Sequence, residues 1–278
     1  MTAVEEFAPA KVNLTLHVTG RRPDGLHRLD SLVAFADIGD GLRAEGADRT
    51  SLGIDGPYAA GLDAGAGNLV LRAARLLAPD RTAALRLTKR LPVAAGIGGG
   101  SADAAAALRA LSRLWRLPVP SRGRLVSLGA DVPVCMACAG AWRMQGVGGD
   151  VSAAPALPDL GLVLVNPGVA LATPAVFAAL DQPENPPMRL PGGWRDAADL
   201  AGWLARQRND LQAPAAGLAP VIGDALRAIG AAGALWAGMS GSGATCVGIF
   251  PPGALAAQAA NGIARASPGW WCASGRLL

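Results

Sequence analysis

Gly96-Ile97-Gly98-Gly99-Gly100-Ser101, entered through Lys89-Arg90-Leu91-Pro92 and followed by Ala102 to Trp115, is the stretch on which the reading of this chain turns. Leu85 to Thr88 reads as a short strand, and Ala102 to Trp115 carries a strong helical pattern. The glycine run therefore joins a strand to a helix. Glycines let backbone amides approach an anion, and the helix that follows adds its positive end. A tight packing turn is the plain alternative. Four glycines and a hydroxyl within six residues exceed what such a turn needs, so the run predicts a phosphate cradle. It is not a P-loop, because no Lys follows the glycines. It is not the dinucleotide fingerprint either, because counting from Gly96 puts Ser101 where the last glycine belongs.

Outward from the run, Ala10 to Thr19 reads as a strand with Val12, Leu14, Leu16 and Val18 on one face. Asp30 to Phe35 reads as a second strand, closed by a turn around Gly39-Asp40-Gly41. Asn68 to Ala78 is an Ala/Leu-rich helix whose start Asn68 can cap. Trp142 to Val147 and the apolar Gly161 to Val165 are further strands, and Pro183 to Pro191 is a surface loop. Helices follow over Leu200 to Arg208, Ala219 to Ala232 and Leu255 to Ala264. Trp236 to Gly238 and Ala244 to Phe250 are strands around a Ser/Gly turn, and Trp270 to Ala273 is a last short one. The order is mixed rather than a regular βαβ alternation, which predicts an α+β fold. The stretch poorest in motifs lies near Asp150 to Asp159. It sets an expected division into residues 1–153 and 154–278.

Aromatics make up only 4% of the 278 residues, so the core must be built from Ala, Val, Leu and Ile. The 25 basic residues include just two lysines, Lys11 and Lys89. Either this is chance in a Lys-poor chain, or both places need a compact ammonium rather than a planar fork. A net charge of +4 without a basic tract argues against a nucleic-acid binder and suits an anionic small molecule. Met1 to Ala10 holds Glu5 and Glu6 and does not read as a signal peptide. The uncharged run Ala228 to Ala264 is long enough to span a bilayer. It is broken by Gly-Met-Ser-Gly-Ser-Gly and by Pro251-Pro252, so no membrane span is expected. Cys135 and Cys138 form a lone CxxC with no second pair or nearby His, and are read as inert core thiols. These features predict a soluble protein of a reducing compartment, the cytoplasm.

Three further places could carry chemistry. Lys11 and Asn13 share a strand face opposite the apolar set; a solvated edge is the plain reading. Asp131 lies in Gly129-Ala130-Asp131-Val132-Pro133, where a turn or cap is the ordinary use of Asp. Met239-Ser240-Gly241-Ser242-Gly243-Ala244-Thr245 joins two strands and reads by itself as a hairpin with a flexible tip. Ser240 and Ser242 do not form the Gly-x-Ser-x-Gly elbow of a serine hydrolase.

Taken together, Pro9 to Leu14, Pro92 to Ala105, Leu128 to Pro133 and Gly238 to Thr245 resemble the GHMP small-molecule kinases. Gly20 to His27 and Gly146-Val147-Gly148 resemble a branch acting on a cytidine diphosphate-linked alcohol in isoprenoid-precursor synthesis. The resemblance runs from Pro9 to about Phe250. It implies a two-domain α+β fold, with an N-terminal ATP-binding domain and a C-terminal domain around a cleft. It implies ATP as phosphate donor, with Mg²⁺. Asp131 would take the hydroxyl proton and Lys11 would steady developing charge, as phosphoryl transfer requires. Gly96, Gly98, Gly99, Gly100 and Ser101 would cradle the triphosphate, with Asn68, Lys89 and Pro92 near the nucleoside. Asn13, His27, Phe177, Thr173, Gly241 and Ser242 would serve the substrate, His27 at the cytosine edge and Phe177 stacked on the base.

Three departures from the family pattern stand out. Leu26 replaces the Tyr that usually precedes the His. Ala102-Asp103 replaces a usual Ser-Asn, putting a carboxylate beside the cradle unless Mg²⁺ intervenes. Gly149-Asp150 stands where Glu is common. No metal ligand set is assigned, with Ser101 and Asp103 the candidates for Mg²⁺. Another small alcohol, of the homoserine or mevalonate type, and a noncatalytic nucleotide sensor are the alternatives.

Overall fold

A computed structural model describes residues 3–278. Backbone contacts divide the chain into two units, each assembled from separate stretches. Of the described residues, the first comprises 3–10, 39–93 and 98–138, and the second 11–38, 94–97 and 139–278. The cut expected between 153 and 154 falls inside the second unit. The reason is pairing: β6 (Ala141–Gly146) and β7 (Asp150–Ala153) join the strands that follow residue 11. Two strands cross the division along their length, β1 (Val4–Asn13) and β3 (His27–Gly46).

In the first unit, β5 (Ala83–Thr88) runs antiparallel to the end of β3, pairing Gly41 with Thr88 through Gly46 with Ala83. β4 (Ser51–Asp55) runs parallel to β5. The helices are α1 (Leu69–Leu77), α2 (Gly99–Trp115), α3 (Arg122–Val126) and α4 (Val132–Cys135). α1 begins where Asn68 predicts: the Asn68 side chain accepts from Val70 N at 2.9 Å. α2 packs on α1, and its Ala104 to Ala107 are fully buried. Small side chains bring these helices close without aromatic filler, which accounts for the low aromatic content.

In the second unit, β2 (His17–Arg21) and β6 flank the first half of β3, and β7 extends β6. A second, wholly antiparallel sheet has the order β11-β8-β10-β9, from β8 (Gly161–Asn166), β9 (Trp236–Met239), β10 (Cys246–Phe250) and β11 (Trp271–Gly275). Every residue of β8 and β10 is buried. α8 (Val221–Ala231) and α9 (Leu255–Ala266) pack on it, and α5 (Thr173–Ala178), α6 (Ala197–Leu204) and α7 (Gln212–Leu218) complete the unit. Each fully buried Leu or Ile here contributes roughly 1.5–3 kcal/mol. No helix among the described residues is long and apolar enough to cross a membrane; the uncharged run is divided among α8, β9, β10 and α9.

Three local expectations are corrected. The first strand is broken at Leu14 to Leu16, giving β1 and β2. Its polar face is not a solvated edge, since Lys11, Asn13, Thr15 and His17 are all buried. Gly39-Asp40-Gly41 is not a turn: β3 runs straight through it. Gly39 is needed for close approach, because a Cβ there would lie 2.4 Å from Ala8 O. The exposed strands β4 and β7 and the short α5 carry no strong periodicity and were not expected.

Candidate active site

α2 begins at Gly99, three residues before the Ala102 expected, so Gly99, Gly100 and Ser101 form its first turn. Gly98 takes the N-cap position in the left-handed region, at φ 64°, and no side chain caps the helix. The first-turn amides of Gly99, Gly100 and Ser101 have no intrahelical acceptor, so they are donors available to an anion.

Lys89 does not present an open face to a nucleoside. It is 3% exposed, and its Nζ lies 2.5 Å from Asp40 Oδ2 and 2.7 Å from Asp103 Oδ2. Burial alone would lower its pKa, but the Asp103 and Asp40 carboxylates reverse this and raise it. Asp103 is 4% exposed; burial pushes its carboxyl up to about 7 against the pull of Lys89, and Asp40 adds to the rise. With Oδ2 held by the ammonium and the side chain buried, Asp103 is not placed as an open magnesium ligand. Among the described residues, no group of three or more His, Cys, Asp or Glu side chains is placed to hold a metal. Lys89 compensates the carboxylate that departs from the family pattern. Arg90 is exposed and has no such role. Asn68 is committed to its helix: besides capping α1, its amide donates to Asp63 O at 2.7 Å. Pro92 is buried where the chain leaves β5.

Asp131 stands at the N-cap position of α4, with Pro133 in the first turn, but its side chain does not cap that helix. Its carbonyl accepts from Cys135 N at 3.0 Å, and the residue is half-buried. Cys135 is buried and Cys138 partly so, in keeping with inert thiols.

In the second unit, the Ser240 turn is not a flexible tip. Ser240 is fully buried; its Oγ accepts from Asn13 N at 3.0 Å and donates to Gly96 O at 2.9 Å. Thr245 N donates to Ala95 O at 3.1 Å, and Lys11 N to Ile97 O at 2.9 Å. Residues 94–97, the turn and the end of β1 thus form one hydrogen-bonded knot. Gly96, at φ 74°, is required twice over, since a Cβ would lie 2.6 Å from both Ser240 O and Gly243 O. Asn209, which the sequence did not single out, braces the turn by donating to Met239 O at 2.8 Å and Gly241 O at 2.9 Å. The only local signal for it is a polar Asn-Asp pair directly after an apolar helix.

The same unit brings most of the expected substrate residues into contact in pairs. The His27 and Phe177 rings stack at 4.7 Å and 19°. Thr173 Oγ1 and Ser242 Oγ are 2.8 Å apart. Asn13 Nδ2 donates to Ser31 Oγ at 2.7 Å, while Asn13 Oδ1 is buried without a hydrogen-bond partner. Burial, and then the Arg21 charge, lower the His27 pKa, which favours a neutral imidazole. Leu26 is 54% exposed.

Residues 68–153 match the GHMP kinases N-terminal domain and residues 177–268 the GHMP kinases C-terminal domain. The chain belongs to the GHMP kinase family. It is 61% identical, over 99% of its length and all of the relative's, to the 4-diphosphocytidyl-2-C-methyl-D-erythritol kinase of Ruegeria pomeroyi. A crystal structure of 4-(cytidine 5'-diphospho)-2C-methyl-D-erythritol kinase superposes with a TM-score of 0.82, at 34% identity and 98% coverage of both chains. A homoserine kinase from Cytophaga hutchinsonii has a TM-score of 0.67 at 16% identity, covering all of this chain and 95% of its own, a likeness of fold alone.

Proposed function

We propose that the protein transfers the γ-phosphate of ATP to the 2-hydroxyl of 4-diphosphocytidyl-2-C-methyl-D-erythritol, a step of non-mevalonate isoprenoid-precursor synthesis. The full-length likeness to proteins of that name carries the reading. The site residues support it. Asp131 accepts the hydroxyl proton as the oxygen attacks the γ-phosphorus and the bond to ADP breaks. Lys11 supplies positive charge for the developing alkoxide and the transferred phosphoryl group. The amides at the head of α2 bind phosphate oxygens. Phe177 and a neutral His27 offer a face and an edge to the cytosine, and Asn13 Oδ1 awaits a donor that a substrate hydroxyl provides. Magnesium bound with ATP would offset the phosphate charge, and with Asp103 buried Ser101 is the remaining candidate to approach it.

The test is ATP consumption with the cytidine diphospho-alcohol, homoserine and mevalonate in parallel. Turnover with the cytidine substrate alone is expected. Turnover only with homoserine or mevalonate would overturn the assignment. Asp131→Asn is expected to keep ATP binding while kcat falls by at least about a hundredfold. A kcat near that of the parent would remove Asp131 from the base role.

A further inference from the structure

We propose that Asp40, Lys89 and Asp103 form a positioning clamp that holds both ends of the phosphate loop, so that nucleotide affinity depends on carboxylates no nucleotide can touch. The inference rests on the assignment of the glycine run to ATP made above.

The loop leaves β5 at Lys89 and enters α2 at Gly99. At the entry, Asp40 Oδ1 accepts from Arg90 N at 2.5 Å and from Leu91 N at 2.9 Å. Asp40 Oδ2 takes the Lys89 ammonium, and that ammonium reaches Asp103 on α2, just past the exit. One cation therefore ties the strand end, the first loop residues and the helix head. Gly99 lies directly over it: a Cβ there would be 3.1 Å from Lys89 Nζ and 3.9 Å from Asp40 Oδ2.

Stability alone does not explain such a cluster. Two acidic side chains and one ammonium are packed together in a site 0–4% exposed. Asp103 Oδ1 has no hydrogen-bond partner at all. Apolar residues of similar volume commonly match or exceed the stability of a buried ion cluster. What an apolar set cannot do is fix two backbone amides and a helix head at defined points. The clamp supplies that placement. First-turn amides act on phosphate only if held within about 0.5 Å of the productive geometry.

The experiment uses Asp40→Asn and Asp103→Asn in the full chain. ADP is titrated by calorimetry, KM is measured for ATP and for the cytidine alcohol, and melting temperature is recorded. Neither carboxylate is exposed enough to touch a nucleotide, so a direct contact cannot produce the effect. The ADP Kd and the ATP KM are each expected to rise about tenfold, with the alcohol KM within about twofold of the parent. Adding Lys89→Met to Asp103→Asn is expected to weaken ADP binding by less than the product of the two single effects, as members of one unit do. A lowered melting temperature with an unchanged ADP Kd would overturn the clamp and leave an ordinary structural cluster. If Asp40→Asn fails to fold, the isosteric Asp103→Asn decides by the same criterion. ADP binding is read without the alcohol, so absent turnover with the cytidine substrate, alongside a shifted ADP Kd, refutes the substrate and supports the clamp.

Discussion

Asp30 and Asp40 sit on the same strand, β3, and are both buried, yet one holds an arginine and the other a lysine. Asp30 receives a bidentate fork: Arg143 Nε at 2.7 Å on Oδ1 and Nη2 at 2.6 Å on Oδ2. It also accepts from Met188 N at 2.9 Å, while Arg143 donates to Met188 O, so the pair anchors the proline-rich loop. The Arg143 side chain is 25% exposed, and its fork reaches the carboxylate from the surface. Lys89 is enclosed and must serve two carboxylates from one point. The difference explains a chain that uses arginine almost throughout. A planar fork fits where one carboxylate meets an open side; a compact ammonium is needed where two carboxylates close around the cation.

The strongest way to break this comparison is Lys89→Met. It leaves Asp40 and Asp103 buried without their cation, and is expected to cost about 3–5 kcal/mol in urea unfolding. Lys89→Arg is not expected to restore the parent value, because the larger fork overpacks the site beneath Gly99. Parent-like stability of Lys89→Arg would defeat the argument from shape. On the other side, Arg143→Lys keeps the charge but loses one of two parallel hydrogen bonds. About 1–2 kcal/mol is expected by the same measurement, and no loss would mean that the fork is incidental.

A smaller signal is a change of slope with pH. Burial raises the Asp103 carboxyl from 3.8 to about 7, so the folded state holds its proton more tightly than the unfolded one. That contribution is complete below the ordinary carboxylate range and is lost as pH rises through about 7. Relative to Asp103→Asn, the parent is therefore expected to lose stability between about pH 4 and pH 7. Parallel stability curves for the two proteins would show that Asp103 does not titrate in this way.

The sequence made some of this legible and hid the rest for identifiable reasons. The Asn68 cap is a local event, written in adjacent residues, and lies where expected; α2 is present as expected but starts at Gly99 rather than Ala102, taking the last two glycines and Ser101 into its first turn. Asp40 sits between two glycines, the composition of a turn. Its role comes from Lys89, 49 residues further on, and no local window contains both. The Lys11 strand misled through its alternation. Both faces are buried, so period two separates apolar from polar residues without saying which side meets water. The Ser240 turn looked flexible because glycine signals conformational freedom equally well in an exposed tip and in a tightly packed knot. Only the partner, Gly96, distinguishes the two. Asp103 was legible as an anomaly, but its compensation was not, because the cation lies before the loop rather than in it.

Gly98 caps α2 without a side chain, and the donors at that helix head belong to the backbone. An alanine scan deletes side chains and leaves peptide N–H groups in place. Such a scan would rank Gly99 and Gly100 by crowding and helix propensity rather than by what their amides do. It would score Gly98 by the strain of a Cβ at φ 64°. The donors proposed to bind phosphate are thus nearly invisible to conventional mutagenesis. Amide-to-ester substitution, which removes one N–H at a time, is the chemical edit suited to them.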